Sequence, residues 1–528
     1  MFKNESDVVA KKAKKRYEVL AKQKSPHTPT KIEPMSPEDV STTTLAYDWL
    51  PQTSCTRLVP DTRYPTPESM TRKIEPSIED QALGFFIGNY VAQPTFVPRG
   101  QFEWVTEMLA QPFTDGILRH SVNAASLAGF ANATKSPAIM QQAQAAYVSA
   151  LHLTNKALTV KESAVKDSTL ISVIMLGMYE NFVFQDRRDL SAWEKHVNGA
   201  CALLKLRGTE QFRSDLGRRL FHQFYGVIML VALETGKPVH QGIHDLYRTM
   251  TLTSDYTVHG RAWTTRLVDV MHTSIDLNRD QTTDPRTMVT AALNLDHEIE
   301  EIKVLMPHVW DFEEVRLEQP SEHLHGELYH VYLDPWIAQM WNAVKSCRLC
   351  LYKIIRENVN KGWLQYNPPV FSREEYESIK KNAEEITRST AAAIVASVPQ
   401  IVGMIPWIDL EVARHRMSDP KVAIPSPTNR ICPPGTFTDV ARSTHMLHLV
   451  WPLYAAAGLD LMSTEMRQWS IDILHFIALR IGSRQAVLLA EELKQVQRSG
   501  IFTTPYADHT SVLTPSYPQM GRIISEDV

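Results

Sequence analysis

The chain has little cysteine, no long apolar run and no dominant sign of charge. Cys55, Cys201, Cys347, Cys350 and Cys432 are the five cysteines of 528 residues. They are too few and too scattered for a disulfide framework, so a reducing compartment is expected. A membrane-spanning helix needs about 18 or more consecutive apolar residues. The best runs, Phe224–Leu233 and Leu449–Leu459, are shorter, and the second contains Pro452 and Gly458. The N-terminus has no apolar stretch of the secretory type, and the expectation is a soluble intracellular protein. The net charge of −4 argues against a nucleic-acid coat protein and against a polyanionic disordered chain. Hydrophobic residues make up 44% and charged residues 22%, enough to bury a sizeable core.

Catalytic signatures are missing too. There is no Gly-x-Ser-x-Gly elbow, no phosphate loop ending in Gly-Lys-Ser/Thr and no Gly-x-Gly-x-x-Gly. No adjacent Asp-Asp pair offers the metal motif of all-α terpene cyclases. His297-Glu298 opens like a zinc protease motif, but position 301 is Glu. Cys347 and Cys350 have Cys-x-x-Cys spacing, yet a structural zinc site needs four ligands and no second pair completes it. Cys347 also falls within an apolar helical stripe, where a small thiol packs well. Glu322, His323, His325, Glu327 and His330 are a dense set of potential ligands without regular spacing on one helical face. They read as loop residues, with a divalent metal as the alternative. His196 follows Trp193 at the edge of an apolar face and reads as a hydrogen-bonded structural histidine.

Along the chain, residues 1–24 form a basic arm. Lys11, Lys12, Lys14, Lys15 and Arg16 suit a nuclear-import address or contacts to a phosphate backbone, or simply a solvated helix start. Residues 25–77 are rich in Pro, Ser and Thr. Ser25-Pro26, Thr28-Pro29, Ser36-Pro37 and Thr66-Pro67 interrupt any helix, and the segment is expected to be a disordered linker. Residues 500–528 return to that composition and read as a loose tail.

From 78 to 499 the pattern is helical and the expected fold class is all-α, because alternating strand patterns are scarce. At 100° per residue, Val197, Ala200, Leu204 and Arg207 share one face with Trp193, while Asn198 and Lys205 point away. Gly208 then reads as a C-terminal cap. Leu170–Met178 is apolar all round and should be buried. Trp336, Met340, Val344, Cys347, Leu351 and Ile354 make another stripe. Trp469, Ile473, Phe476 and Ile477 make a third, ended by Gly482. Loops are expected near Asn358–Pro369 and Pro420–Phe437.

Four stretches, in this order, resemble the large regulatory domain of fungal transcription factors that carry an N-terminal binuclear zinc cluster. The first is Glu79-Asp80-Gln81-Ala82-Leu83-Gly84-Phe85-Phe86 with Asn89-Tyr90-Val91. The second is Ala192-Trp193-Glu194-Lys195-His196-Val197-Asn198-Gly199-Ala200, running on to Arg207-Gly208. The third is Tyr332-Leu333-Asp334-Pro335-Trp336 with Trp341-Asn342 and Arg348. The fourth is Trp451-Pro452-Leu453-Tyr454, followed by Arg467, Trp469, Gly482 and Gln485-Ala486. The residues before the linker are similar to the segment that follows the zinc cluster in such proteins. The cluster needs six closely spaced cysteines, and none of the five here is placed for it. Either the chain has lost its DNA reader or its coding start lies too late.

The resemblance implies a regulator of RNA polymerase II genes in a fungal nucleus, in a metabolic or secondary-metabolite pathway, and no enzyme. It implies no cofactor in this chain, with zinc only in an upstream six-cysteine cluster. The partners it implies are the transcription machinery, a related transcription factor or a second copy of the chain, with DNA reached weakly or through the missing cluster. Two alternatives stand beside it. One is a partner protein without a DNA reader that modulates a full-length relative. The other is an all-α enzyme built on the His323/His325/His330 cluster. DNA binding by the basic arm is expected to be sequence-independent and to weaken steeply with salt, because phosphate contacts release counterions. A salt titration of binding checks this, and sequence-specific affinity retained at physiological salt would contradict it.

Overall fold

Many helix starts are written into the sequence as a short polar cap followed by proline or an acid. In the computed structural model Ser136-Pro137, Asp284-Pro285 and Asp334-Pro335 each open a helix. The cap side chain accepts a first-turn backbone N–H, and the proline occupies a first-turn position where no N–H is needed. Ser372 and Glu375 form a reciprocal capping box. The structure describes residues 76–499 except 92–101, 112–114, 184–189, 236–237, 240–241, 254–260, 281, 420–421, 423–429 and 438–442, and at 190–196, 230–231, 234–235, 252–253, 261–262, 417 and 443 it describes the backbone. The basic arm, nearly all of the expected linker and the C-terminal tail lie outside the described residues.

The architecture is all-α, with 17 helices among the described residues. The first group is α1 (Ile78–Tyr90), α2 (Trp104–Leu109), α3 (Gly116–Ala133), α4 (Pro137–Leu158), α5 (Lys161–Ala164), α6 (Asp167–Val183) and α7 (Leu190–Arg207). α3 packs on α1, α4 and α6. Then follow α8 (Asp215–Thr235), α9 (Ile243–Thr253), α10 (Arg261–Arg279) and α11 (Pro285–Leu305). A hairpin of β1 (Phe312–Arg316) and β2 (Leu328–Tyr332) leads into α12 (Pro335–Leu364) and α13 (Arg373–Ile401). The chain continues through α14 (Leu410–Ser418), α15 (Met446–Ala457), α16 (Thr464–Ile481) and α17 (Arg484–Ser499).

One apolar core runs from Ala82 in α1 to Leu493 in α17. α12 is its axis, flanked by α10, α11, α13 and α15. The stripes expected from periodicity are on buried faces: Val197, Ala200, Leu204 and Arg207 are buried while Asn198 and Lys205 are exposed. All of Leu170–Met178 is buried. The apolar run at 449–459 supplies most of α15, a core helix. No described helix is long and apolar enough to cross a membrane.

Two expectations need correction. The hairpin is strand where mostly helix was expected, since Leu328–Tyr332 is a short aromatic and branched run too brief to show a period. The loop expected from Asn358 begins later, because α12 runs to Leu364. Gly362 permits this, since a Cβ there would lie 2.5 Å from the Phe371 ring and 3.1 Å from Pro285 Cβ.

Chain closure is made at the corner between α16 and α17. Gly482 is left-handed (φ 71°), and a Cβ there would meet the Gly129 carbonyl oxygen of α3 at 2.3 Å. Asn132 Nδ2 donates to the carbonyls of Gly482 (2.9 Å) and Phe182 (2.7 Å). The Tyr90 hydroxyl donates to the Ile481 carbonyl. Gly199 differs: it is exposed on α7 and a Cβ would meet nothing within 4 Å. Gly482→Ala is therefore expected to cost roughly 2 kcal/mol or more, whereas Gly199→Ala should stabilise by roughly 0.5–1 kcal/mol. Denaturation midpoints of the two variants, moving in opposite directions, check both.

Candidate functional site

The hairpin is polar on one face, yet β2 is buried among helices, so its polar groups need partners. Gln400 of α13 provides them along the outer side of β2. Its Oε1 accepts the Tyr332 backbone N–H (2.8 Å) and its Nε2 donates to the Tyr332 carbonyl (3.2 Å). Trp341 of α12 donates its Nε1–H to the Trp310 carbonyl (2.6 Å) and sets its ring edge-on to Phe312 at 5.1 Å. Trp469 of α16 donates to the His323 carbonyl in the β1–β2 connection (2.9 Å). Three helices, two that follow the hairpin and one far along the chain, thus clamp it.

Beneath it lies a buried titratable node. Lys345 Nζ donates to the Tyr332 hydroxyl (3.1 Å) and the Ala393 carbonyl (3.0 Å), and sits 3.5 Å from His330 Nδ1. The Phe312 ring lies 5.3 Å from the same ammonium. Burial pulls the amine down to about 7, opposed by Glu314 and assisted by Lys303. Burial, then the neighbouring Lys345, depress His330 to about 3. That imidazole is therefore neutral at pH 7, and its 3.4 Å approach to Glu314 is no ion pair. With Nδ1 facing the Tyr332 hydroxyl at 3.0 Å and the amine, the ring proton is assigned to Nε2, aimed at Glu314. Buried groups displaced this far cluster at functional sites, but the amine's donors are directed at protein acceptors. The node locks hairpin to helices rather than presenting a nucleophile.

A second cluster joins α8, α9 and α10. The Tyr225 hydroxyl meets His244 Nδ1 at 2.8 Å, His244 Nε2 meets Asp269 at 3.1 Å, and His272 stacks on His244 at 4.2 Å. This has the outline of an acid–base relay. Burial, with Tyr247 and Asp269, pushes the Tyr225 phenol upward, so it stays protonated and serves as a tie.

The described residues singled out in sequence are dispersed over several helices. The side chains of Trp193 and His196 lie outside the described residues, as do Lys11, Lys12, Lys14, Lys15 and Arg16. Gly199 is on the exposed face of α7. Arg207 ends that helix, buried, with its guanidinium on Asp167. Gly208 follows at φ 57°, the left-handed residue expected after the helix. Trp336 is half-buried in the first turn of α12, edge-on to His445 at 6.5 Å. Trp451 and Pro452 are buried within α15, and the Tyr454 hydroxyl donates to Glu492 (2.9 Å). Only Trp341 and Trp469 are brought to one place, the hairpin.

The histidine cluster separates. His330 enters the buried node, His325 lies 6.3 Å from the Trp469 ring, and His323 lies beside Glu322 at 3.5 Å. Among the described residues no group of three or more His, Cys, Asp or Glu is placed to hold a metal ion. Cys347 is buried against Ser274 (3.5 Å), and burial pushes its thiol up to about 11. Sequence reasoning missed Lys345 and Gln400. A lysine between Val344 and Ser346, beside an apolar stripe, was the one signal for the first, and Gln400 had none.

Lys345 carries a stability prediction. Its folded pKa lies below the unfolded value, so between about 7 and its ordinary range near 10.4 the unfolded chain binds more protons and stability rises with pH. Lys345→Met removes the titrating group. Denaturant unfolding from pH 7 to 9.5 should show a rise in wild-type stability that the variant lacks.

The hairpin, Trp341 and α12 fall inside a stretch with a recognisable family pattern, while Gln400 and Trp469 lie beyond it. Residues 95–364 match the family described as the fungal specific transcription factor domain. The match takes in the motif stretches at 192–208 and 332–348, while those at 79–91 and 451–486 lie outside it. Among curated proteins and solved structures, none matches this chain. With more than half of its length under that match, on an all-α body whose motif tryptophans anchor the hairpin, the chain belongs to the fungal specific transcription factor domain family.

Proposed function

We propose that this chain is the regulatory body of a nuclear transcriptional regulator controlling RNA polymerase II genes in a metabolic or secondary-metabolite pathway. The observation that carries the reading is the family match over residues 95–364. The helical core, with polar groups tied up in structural bonds, is consistent with a body that transmits contacts rather than performing catalysis. In this reading residues 78–499 are the regulatory domain, 25–77 are its linker and 500–528 its tail. The motif residues of the body, including Trp193, His196 and Trp336, act as packing residues. Lys11, Lys12, Lys14, Lys15 and Arg16 act in nuclear import or on the DNA backbone, and these contacts carry no sequence readout of their own. The partners are the transcription machinery, a related factor or a second copy.

Deletion of the gene is expected to change a defined set of transcripts under inducing or repressing conditions. Transcript profiles identical to the parent strain under both would count against the proposal. Replacing the five basic residues of the arm by Ala should move a fluorescently tagged chain out of the nucleus, as read by microscopy.

A further inference from the structure

The hairpin has two edges, and the structure treats them differently. In an antiparallel pair, alternate residues turn their N–H and C=O toward the partner strand and the others turn them away. The Leu317 N–H donates to the Glu327 carbonyl at 2.8 Å. This sets the phase: Glu313/Val331 and Val315/Tyr329 are the bonded pairs. Phe312, Glu314 and Arg316 on β1, and Tyr332 on β2, therefore direct their backbone groups outward. On β2 the Gln400 side chain takes both outward groups of Tyr332. On β1 no described residue hydrogen-bonds the outward N–H or C=O groups of Phe312, Glu314 or Arg316. Among the described residues β1 is thus an open strand edge, a template for one more strand.

The charges along that edge select what can join it. Asp311, Glu314 and Glu318 are exposed. Glu313 is held by Arg416 at 2.9 Å and Arg316 by Glu327 at 3.1 Å, so the only cation of β1 is already neutralised. Among the described residues no lysine or arginine forms an ion pair with Glu314 or Glu318; Glu314 feels only the more distant Lys345 amine, and the imidazole facing it is neutral. A second copy of β1 pairing antiparallel about Glu314 would set Glu314 against Glu314, a destabilising like-charge pair. An apolar strand would leave these carboxylates without counter-charges. A basic extended segment would complete the hydrogen-bond row and place cations beside Glu314 and Glu318.

We propose that the outer edge of β1 is a docking site for a basic, extended segment of a partner protein, which adds to the hairpin as a third strand. Backbone bonds to Phe312, Glu314 and Arg316 supply the register, and Glu314 and Glu318 supply the preference for cations. The clamp formed by Trp341, Gln400 and Trp469 holds the template rigid, so docking costs little ordering of the hairpin.

The test uses the full chain and a capped nine-residue peptide of alternating lysine and valine. Hydrogen exchange followed by mass spectrometry should show slowed exchange across 312–316 on adding the peptide. Fluorescence anisotropy should give an affinity that falls about tenfold or more when alternate peptide nitrogens are methylated, since a row of backbone bonds is then lost. A glutamate–valine peptide should fail to bind. Glu318→Gln should weaken the lysine peptide while leaving the denaturation midpoint unchanged, because that side chain is exposed and takes no part in the buried node. Equal binding of the methylated peptide would overturn the proposal in favour of charge attraction alone. Protection confined to other segments would overturn it too, as would the absence of binding. Protection of 312–316 without peptide in a sedimenting dimer would assign the edge to a second copy instead.

Discussion

A 30-residue helix that is buried on most of its circumference has to be sheathed, and the rest of the structure follows from sheathing α12. At 1.5 Å per residue it is about 45 Å long, more than one partner can cover. α11 and α13 lie along it, α10 and α15 add further cover, and the hairpin fills the space at its N-terminal end. Burial then reaches groups that would ordinarily stay in water. Lys345, Asn342 and Arg348 of α12 are each tied down, to Tyr332 and Ala393, to Ser397 and to Asp296. Each bond offsets a desolvation cost, and together they fix how the helices around α12 are set.

Those ties give the family motifs a physical meaning. Trp341 and Trp469 are far apart in sequence but act on the same hairpin. Asp334 caps α12 and Pro335 starts it, so the stretch from Tyr332 to Trp336 is both the end of a strand and the beginning of the central helix. Tyr90 and Gly482 do similar work at the other end, where the last helices meet the first. A helical body of this kind holds its surface features at fixed positions, and the hairpin edge is one such feature.

The all-α class was legible because a 3.6-residue apolar period survives in most helices, as in Val197 through Arg207, and because polar caps and prolines mark their starts. The hairpin was not, since five-residue strands are too short to display a period, and His330 of β2 was grouped with Glu322, His323, His325 and Glu327 of the connection as a ligand cluster. The extension of α12 past Asn358 was hidden because it depends on the Phe371 ring occupying the space that a side chain at Gly362 would need.

By itself the sequence determined the helical periodicity, the helix starts, the buried run Leu170–Met178 and the motif stretches that mark the family, because each is a local pattern of side chains along the backbone. Tertiary structure alone decided which polar residues share a site. Lys345 meets His330 across 15 positions, Gln400 meets Tyr332 across 68, and Trp469 meets His323 across 146. Such partners are chosen by how helices pack around α12, a property of the three-dimensional arrangement that no local pattern encodes.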